Sequence, residues 1–207
     1  ALAKLSEGIA KSAARAVVLG AIDQAISLEE DDVAGWIARG LLWAAPALVI
    51  YEWALRGMGK LGWAAAFIYC AGAALRLARF NTNLEVVDKR YFQGMPSPAA
   101  AALVAGLVWV TLDAGFTGEE IRWYACVLTI FAGLTMVSNI RYWSGKDINL
   151  RKSVPFVMVA AVALGFALIS SHPPGVLFAL FLAYALSGYV IAFVDWLNRR
   201  KRLARPE

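Results

Sequence analysis

The stretch V-L-F-A-L-F-L-A-Y-A-L-S-G-Y-V-I-A-F-V, Val176 to Val194, contains no charged residue and runs into D-W-L-N-R-R-K-R-L, Asp195 to Leu203. A helix needs about 20 apolar residues to cross a bilayer's hydrocarbon, and only a helix or a closed barrel satisfies its backbone there. The stretch therefore reads as a membrane helix with a basic tail. Working outward from it, four further apolar runs stand out: Leu61 to Leu75, Pro98 to Leu112, Trp123 to Ile140 and Val154 to Ile169. A sixth, Trp36 to Leu55, contains Arg39 near its start. A seventh, Ala13 to Ile26, is interrupted by Arg15 and Asp23, and reads as an amphipathic helix lying along the interface or packed inside the bundle. The expected fold is all-α, a polytopic membrane helix bundle of about six transmembrane helices. Residues 1–35 form its amphipathic N-terminal segment, 36–194 the bundle and 195–207 a basic tail.

Composition agrees. Of 207 residues 60% are hydrophobic and only 17% charged, with a mean hydropathy of +0.61, whereas soluble domains carry about 25% charged residues. No Lys/Arg-led leader with an A-x-A site precedes Ala13, so secretion is not expected. Lys and Arg in short loops set orientation. With Arg199, Arg200, Lys201, Arg202 and Arg205 cytoplasmic, alternation places Lys89, Arg90, Arg141, Lys146, Arg151 and Lys152 on that side, and Arg56, Lys60 and Arg122 opposite. The net charge of +5 suits an anionic leaflet. It does not suit nucleic acid, because no soluble domain presents it.

Small residues at Gly72 to Ala74 and Ala99 to Gly106 permit close helix approach. Trp36, Trp53, Trp63, Trp123, Tyr142, Trp143 and Trp196 fall near segment ends and mark the interfaces. Most nucleophile and metal motifs are missing from the sequence. Cys70 and Cys126 sit in separate apolar runs and read as reduced packing residues, and His172, the single histidine, reads as structural. Neither a Ser/His/Asp set nor a phosphate loop ending in G-K-[ST] can be assembled.

What remains is a polar region. Between Ala74 and Pro98 the chain reads A-A-L-R-L-A-R-F-N-T-N-L-E-V-V-D-K-R-Y-F-Q-G-M-P-S-P. Arg76 and Arg79, at i and i+3, share a helix face, and each guanidinium can bind phosphate or carboxylate bidentately. Asn81 adds an amide at the helix end, and Lys89 and Arg90 follow in the next loop. Ionisable residues within apolar runs are usually functional. The other reading is that both arginines snorkel to the surface as anchors.

Several stretches carry a resemblance. G-M-G-K-L-G-W (Gly57 to Trp63), A-G-A-A-L-R-L-A-R-F-N-T (Ala71 to Thr82), D-K-R-Y-F-Q-G-M-P-S-P-A-A-A (Asp88 to Ala101), M-V-S-N-I-R-Y (Met136 to Tyr142) and F-L-A-Y-A-L-S-G (Phe181 to Gly188) occur in that order. From about Pro46 to Gly188 the chain resembles the bacterial membrane-bound CDP-diacylglycerol:serine O-phosphatidyltransferases, or phosphatidylserine synthases, of the CDP-alcohol phosphatidyltransferase superfamily. The resemblance implies transfer of a phosphatidyl group from CDP-diacylglycerol to the hydroxyl of L-serine, with release of CMP. It also implies Mg²⁺ or Mn²⁺ held by signature aspartates, the last of which serves as base. Arg76, Arg79, Asn81, Lys89 and Arg90 are the implied substrate-binding residues, the enzyme a multi-pass inner-membrane homodimer, and its active face cytoplasmic.

The signature itself is incomplete. Asp31-Asp32-Val33-Ala34-Gly35-Trp36-Ile37-Ala38-Arg39 follows the superfamily's D-x-x-D-G-x-x-A-R with Ala34 in place of the second aspartate. Asp31 is then the implied catalytic and metal-binding residue, with Asp32 beside it as a second ligand, and Gly35 and Arg39 contribute to substrate binding. At the signature's spacing Leu48, Glu52 and Arg56 occupy the positions of its later glycine and aspartates. Counting back from Ala45-Pro46-Ala47 puts alanines at four aspartate positions. The two registers are reconciled by about 18 missing residues between Arg39 and Pro46, given the spacing of the two-metal motif. A solvated acidic cap at a helix start is the other reading of Glu29 to Asp32. Two functional classes follow: a phosphatidylserine synthase, or a catalytically inactive membrane protein of the same fold that binds CDP-diacylglycerol or anionic lipid.

Overall fold

The computed structural model describes residues 2–26, 44–82, 91–143 and 156–203. Within them the chain forms seven helices and a two-stranded antiparallel sheet: α1 (Leu2–Ile26), α2 (residues 44–50), α3 (Lys60–Thr82), β1 (Tyr91–Gln93), α4 (Ser97–Asp113), α5 (Gly118–Val137), β2 (Arg141–Trp143), α6 (Phe156–Ser171) and α7 (Pro173–Leu203). The protein is an all-α membrane bundle. Among the described residues three helical stretches are long and apolar enough to cross a membrane, Lys60–Arg79, Gly118–Val137 and Pro173–Leu197, and α4 is apolar but shorter. Leu61, Phe67, Leu75, Tyr124, Val127, Leu134, Leu180, Val190 and Phe193 all lie exposed on these stretches. Outward-facing apolar side chains are what a lipid solvent permits.

The apolar α4 lies at the centre, its residues from Ala99 to Trp109 buried almost without interruption. Pro98 opens it, where a missing N–H costs nothing. Against α4 packs α1 through Ala14, Val17 and Val18. Lys11 reaches Asp113 at 2.6 Å and Arg15 stands 5.8 Å from the Trp109 ring centre, so the two helices run antiparallel. Of the two placements expected for the Ala13 to Ile26 segment, the structure has the one against the bundle.

The next contact is backbone on backbone. A Cβ built on Gly72 of α3 would meet the Gly133 carbonyl of α5 at 2.5 Å, and one on Gly133 would come within 2.9 Å of the Ile68 carbonyl. Without hydrophobic drive between helices in lipid, such close approach supplies the packing. The start of α5 precedes its apolar run because Thr117 and Glu120 form a capping box, with the Thr117 N–H donating to Glu120 Oε2 at 2.8 Å. The α-helical residues 44–50 pass into a wider π turn at Tyr51–Leu55 and a tight 3-10 turn at Arg56–Met58. Gly62 there lies on the Leu55 carbonyl, which a Cβ would meet at 2.1 Å.

Strand direction and helix order divide the bundle into two ends. One holds Arg56, Lys60, Asp113, Thr117 and the His172 turn, with His172 Nδ1 4.0 Å from Asp113 Oδ2. The other holds the last turns of α3, the start of α4, the end of α5 and the two-stranded sheet. That second end carries the candidate site.

Candidate functional site

Arg76 and Arg79 occupy the last two turns of α3. The Arg76 Nη1 donates to Ser97 Oγ at 3.1 Å, and Ser97, the first residue of α4, is buried. The Arg76 Nε is also buried and has no hydrogen-bond partner among the described residues. The Tyr184 hydroxyl of α7 lies within electrostatic reach of this guanidinium and donates to the Trp143 carbonyl at 3.3 Å. Arg79 turns toward the end of α5, its Nη1 donating to the Val137 carbonyl at 3.4 Å and its Nη2 to Asn139 Oδ1. Both arginines therefore contact protein groups on α4 and on the link between α5 and β2.

The surrounding scaffold is fixed by the β1–β2 sheet. Tyr91 pairs with Trp143, Phe92 with Tyr142 and Gln93 with Arg141, antiparallel. Gly94 follows with φ 76°, its N–H donating to the Ile140 carbonyl at 2.8 Å. A side chain there would be strained in the left-handed region and would meet the Met136 carbonyl at 2.3 Å. Met95 N–H then bonds the Thr135 carbonyl at 3.2 Å, so the start of α4 is tied to the end of α5. Tyr142 locks the sheet to α7. Its hydroxyl donates to the Ala185 carbonyl at 2.9 Å, and its ring lies on Gly188, where a Cβ would stand 2.3 Å from Cζ. Burial, helped by the phenols of Tyr189 and Tyr184, pushes this hydroxyl well above the ordinary phenol range, so it remains a donor. Thr135 Oγ1 and Tyr189 Oη complete the lock at 2.8 Å.

Chemically, the arrangement gathers positive charge and hydrogen-bond donors. A part-buried guanidinium with an unused N–H stands at the first turn of a helix, where backbone N–H groups and the macrodipole also favour negative charge. Beside it, a cleft of about 340 Å³ opens between Asn139, Arg141 and the Ile191–Trp196 stretch of α7. Asn139 belongs to both, as cleft wall and as the Arg79 partner.

Of the residues singled out in the sequence, Arg76 and Arg79 stand together here, and Asn81 occupies the final turn of α3. Asp31, Asp32, Gly35, Arg39, Lys89 and Arg90 lie outside the described residues, as do residues 36–43 of the Trp36 helix. No group of three or more His, Cys, Asp or Glu side chains suited to a metal ion occurs among the described residues. The described part of the site thus presents guanidinium donors, and no step through a metal is derived from it. Sequence reasoning missed Ser97, Asn139 and Tyr184 as partners. Their signal was present in the S-P, S-N-I-R-Y and A-Y-A-L-S-G stretches, but not the information about which arginine each one meets.

Comparison with known proteins gives a consistent picture. No protein-family model matches the chain. It is 29% identical over 189 residues to the CDP-diacylglycerol–serine O-phosphatidyltransferase of Mycobacterium leprae, covering 89% of this chain and 61% of that protein. It is 28% identical over 177 residues to the Helicobacter pylori protein of the same name, covering 86% and 73%, and 29% identical over 166 residues to that of Methanocaldococcus jannaschii, covering 78% and 68%. The chain thus spans about three fifths of the length of the mycobacterial relative. Along most of its own length, this membrane bundle is similar to the CDP-diacylglycerol–serine O-phosphatidyltransferases.

Proposed function

We propose that this chain is a phospholipid-synthesising transferase that moves the phosphatidyl group of CDP-diacylglycerol to the hydroxyl of L-serine and releases CMP. The observation that carries the reading is the part-buried Arg76 guanidinium, which gives one donor to Ser97 and keeps its buried Nε unused among the described residues. A phosphate oxygen of the liponucleotide is the ligand that would take it, at the depth where lipid headgroups lie. Arg79 stands one turn further along α3, where it holds Asn139 and can share the phosphate charge. In the transfer, the serine oxygen forms a bond to the phosphorus that bears diacylglycerol, the bond to CMP breaks, and the serine proton goes to a base. The names of the relatives support the donor and acceptor.

Asp31 and Asp32 are proposed as ligands for Mg²⁺ or Mn²⁺, Asp31 as the base, and Gly35, Arg39, Lys89 and Arg90 as further substrate contacts. The arginine-bearing end is proposed to face the cytoplasm of a cell whose inner membrane holds the protein, because the Lys/Arg-rich loops join there. Homodimer formation belongs to the same proposal. A second reading, a bundle that binds CDP-diacylglycerol without turnover, is favoured by Ala34, Leu48 and Arg56 at signature positions.

The test is CMP release from CDP-diacylglycerol with L-serine and Mn²⁺, with binding measured on the same samples. Turnover that is lost in Arg76→Ala and on chelation with EDTA supports the transferase. Binding without turnover selects the second reading, and absence of both overturns the assignment.

A further inference from the structure

The two sides of α7 are built for different surroundings. On the inner side the Tyr184 hydroxyl donates to the Trp143 carbonyl, the Tyr142 hydroxyl donates to the Ala185 carbonyl and the Tyr142 ring lies on Gly188. Leu186, Val190, Phe193, Leu197 and Arg200 follow one another at intervals of four, three, four and three residues, which places them in one stripe along the other side. Its four apolar members are between 37% and 61% exposed, so the stripe faces out of the bundle. From Leu186 to Arg200 it is about 21 Å long at 1.5 Å per residue. That length runs through one leaflet's share of a hydrocarbon core about 30 Å thick and reaches the headgroups.

At the head of the stripe the chemistry changes. Trp196 stacks on Phe193 with 5.9 Å between ring centres, and the Arg200 guanidinium lies 4.1 Å from the Trp196 ring centre. The candidate span ends at Leu197 while the helix continues to Leu203, so Arg200 stands at headgroup depth. An aromatic platform steadies the planar guanidinium by its face and leaves its N–H edge for hydrogen bonds. Among the described residues no carboxylate pairs with it. Arg199, Lys201 and Arg202 flank it in the sequence, a local field that attracts an anionic headgroup and repels a choline ammonium.

We infer that this stripe binds one negatively charged glycerophospholipid of the surrounding leaflet, with Arg200 on its phosphate, Trp196 as the platform and an acyl chain along Phe193, Val190 and Leu186. The site is separate from Arg76, which reaches Ser97 inside the bundle, and it does not rest on the transferase reading. Trp196 also forms part of the cleft wall near Asn139 and Arg141, so the bound lipid borders the candidate site.

The experiment titrates the full chain in detergent with dioleoyl-phosphatidylglycerol or dioleoyl-phosphatidylcholine and counts bound lipids by native mass spectrometry. Wild type is expected to prefer the first phosphatidylglycerol at least about fivefold, and Arg200→Gln to lower that preference about fivefold, the contribution of one basic residue near an anionic surface. Trp196→Ala, which removes the platform, is expected to lower it as well, and Arg76→Ala to keep it. Soluble glycerol 3-phosphate is expected not to displace the lipid, because it lacks the chains that lie on the stripe. Unchanged thermal unfolding reports that each variant is folded. The inference is overturned if wild type shows no preference, if Arg200→Gln and Trp196→Ala retain it, if Arg76→Ala loses it, or if glycerol 3-phosphate displaces the lipid. Failure of the transferase reading leaves these outcomes as they are, since the titration contains no CDP-diacylglycerol.

Discussion

Arg76 concentrates the energetic argument at the scale of single residues. An arginine at mid-bilayer costs about 2.5 to 3.5 kcal/mol on the insertion scale; Arg76 stands at the end of the Lys60–Arg79 span, where that cost is smaller, and one hydrogen bond to Ser97 offsets part of it. Lysine would keep the charge but lose the planar fork. Arg76→Lys is therefore expected to weaken CDP-diacylglycerol binding at least about tenfold without rescuing Arg76→Ala, as equilibrium binding would report. Tyr142 makes a separate prediction. Tyr142→Phe removes the donor to Ala185 and should cost about 1 kcal/mol in thermal unfolding, whereas Gly188→Ala, which drives a methyl into the same ring, should cost about 1–3 kcal/mol. At the opposite end, the hydrogen bond from Lys11 holds the Asp113 carboxyl below the ordinary carboxylate range, with the charges of Lys11 and His172 adding to it. A lowered folded-state value means that this contribution is present above the unfolded value and lost as pH falls through the folded one. Unfolding measured against pH should show wild type and Asp113→Asn converging on acidification and separating at neutral pH, by a small amount because the pair is exposed.

Elements were legible to different degrees. The runs Leu61 to Leu75, Pro98 to Leu112 and Val176 to Val194 each fall within an observed helix, α3, α4 and α7, and the described part of Val154 to Ile169 falls within α6, because in a membrane hydropathy alone reports a buried or lipid-facing segment. Ends were less legible. α5 runs from Gly118 to Val137 rather than Trp123 to Ile140, because its capping box recruits a polar first turn and Ser138 turns extended toward β2. The β1–β2 sheet, three residues a strand with α4 and α5 between them, has too little local signal to stand out. The partners of the arginines lie 21 and 60 residues away in sequence, and no local pattern specifies such pairings. Gly72, by contrast, was expected at a close helix approach and meets Gly133 there. Gly72→Ala should force α3 and α5 apart at a contact with no flexible side chain to yield. Thermal unfolding in detergent should register a loss of about 1–3 kcal/mol or more, and Gly106→Ala, which meets Phe178 at 3.4 Å, a smaller one.

At the scale of the molecule, the alternation of helices gives the bundle a chemical polarity. Apolar α4 and the spans of α3, α5 and α7 join an end rich in arginine and tyrosine hydrogen bonds to an end closed by Asp113, Lys11 and the α5 cap. α7 continues as a helix beyond the candidate span into its basic segment, with Arg200 stacked 4.1 Å from the Trp196 ring centre, an arrangement that suits an anionic headgroup layer. Membrane-impermeant maleimide applied from one side of sealed vesicles should therefore label Arg141→Cys or Lys60→Cys, but not both. The account stands or falls on what the arginine end binds. The most direct measurement is equilibrium binding of CDP-diacylglycerol to the full chain in nanodiscs, wild type against Arg76→Ala, with Asp113→Asn as a control at the other end. Saturable binding by wild type and the control, weakened at least about tenfold in Arg76→Ala, is the predicted result; equal affinity in all three would contradict it.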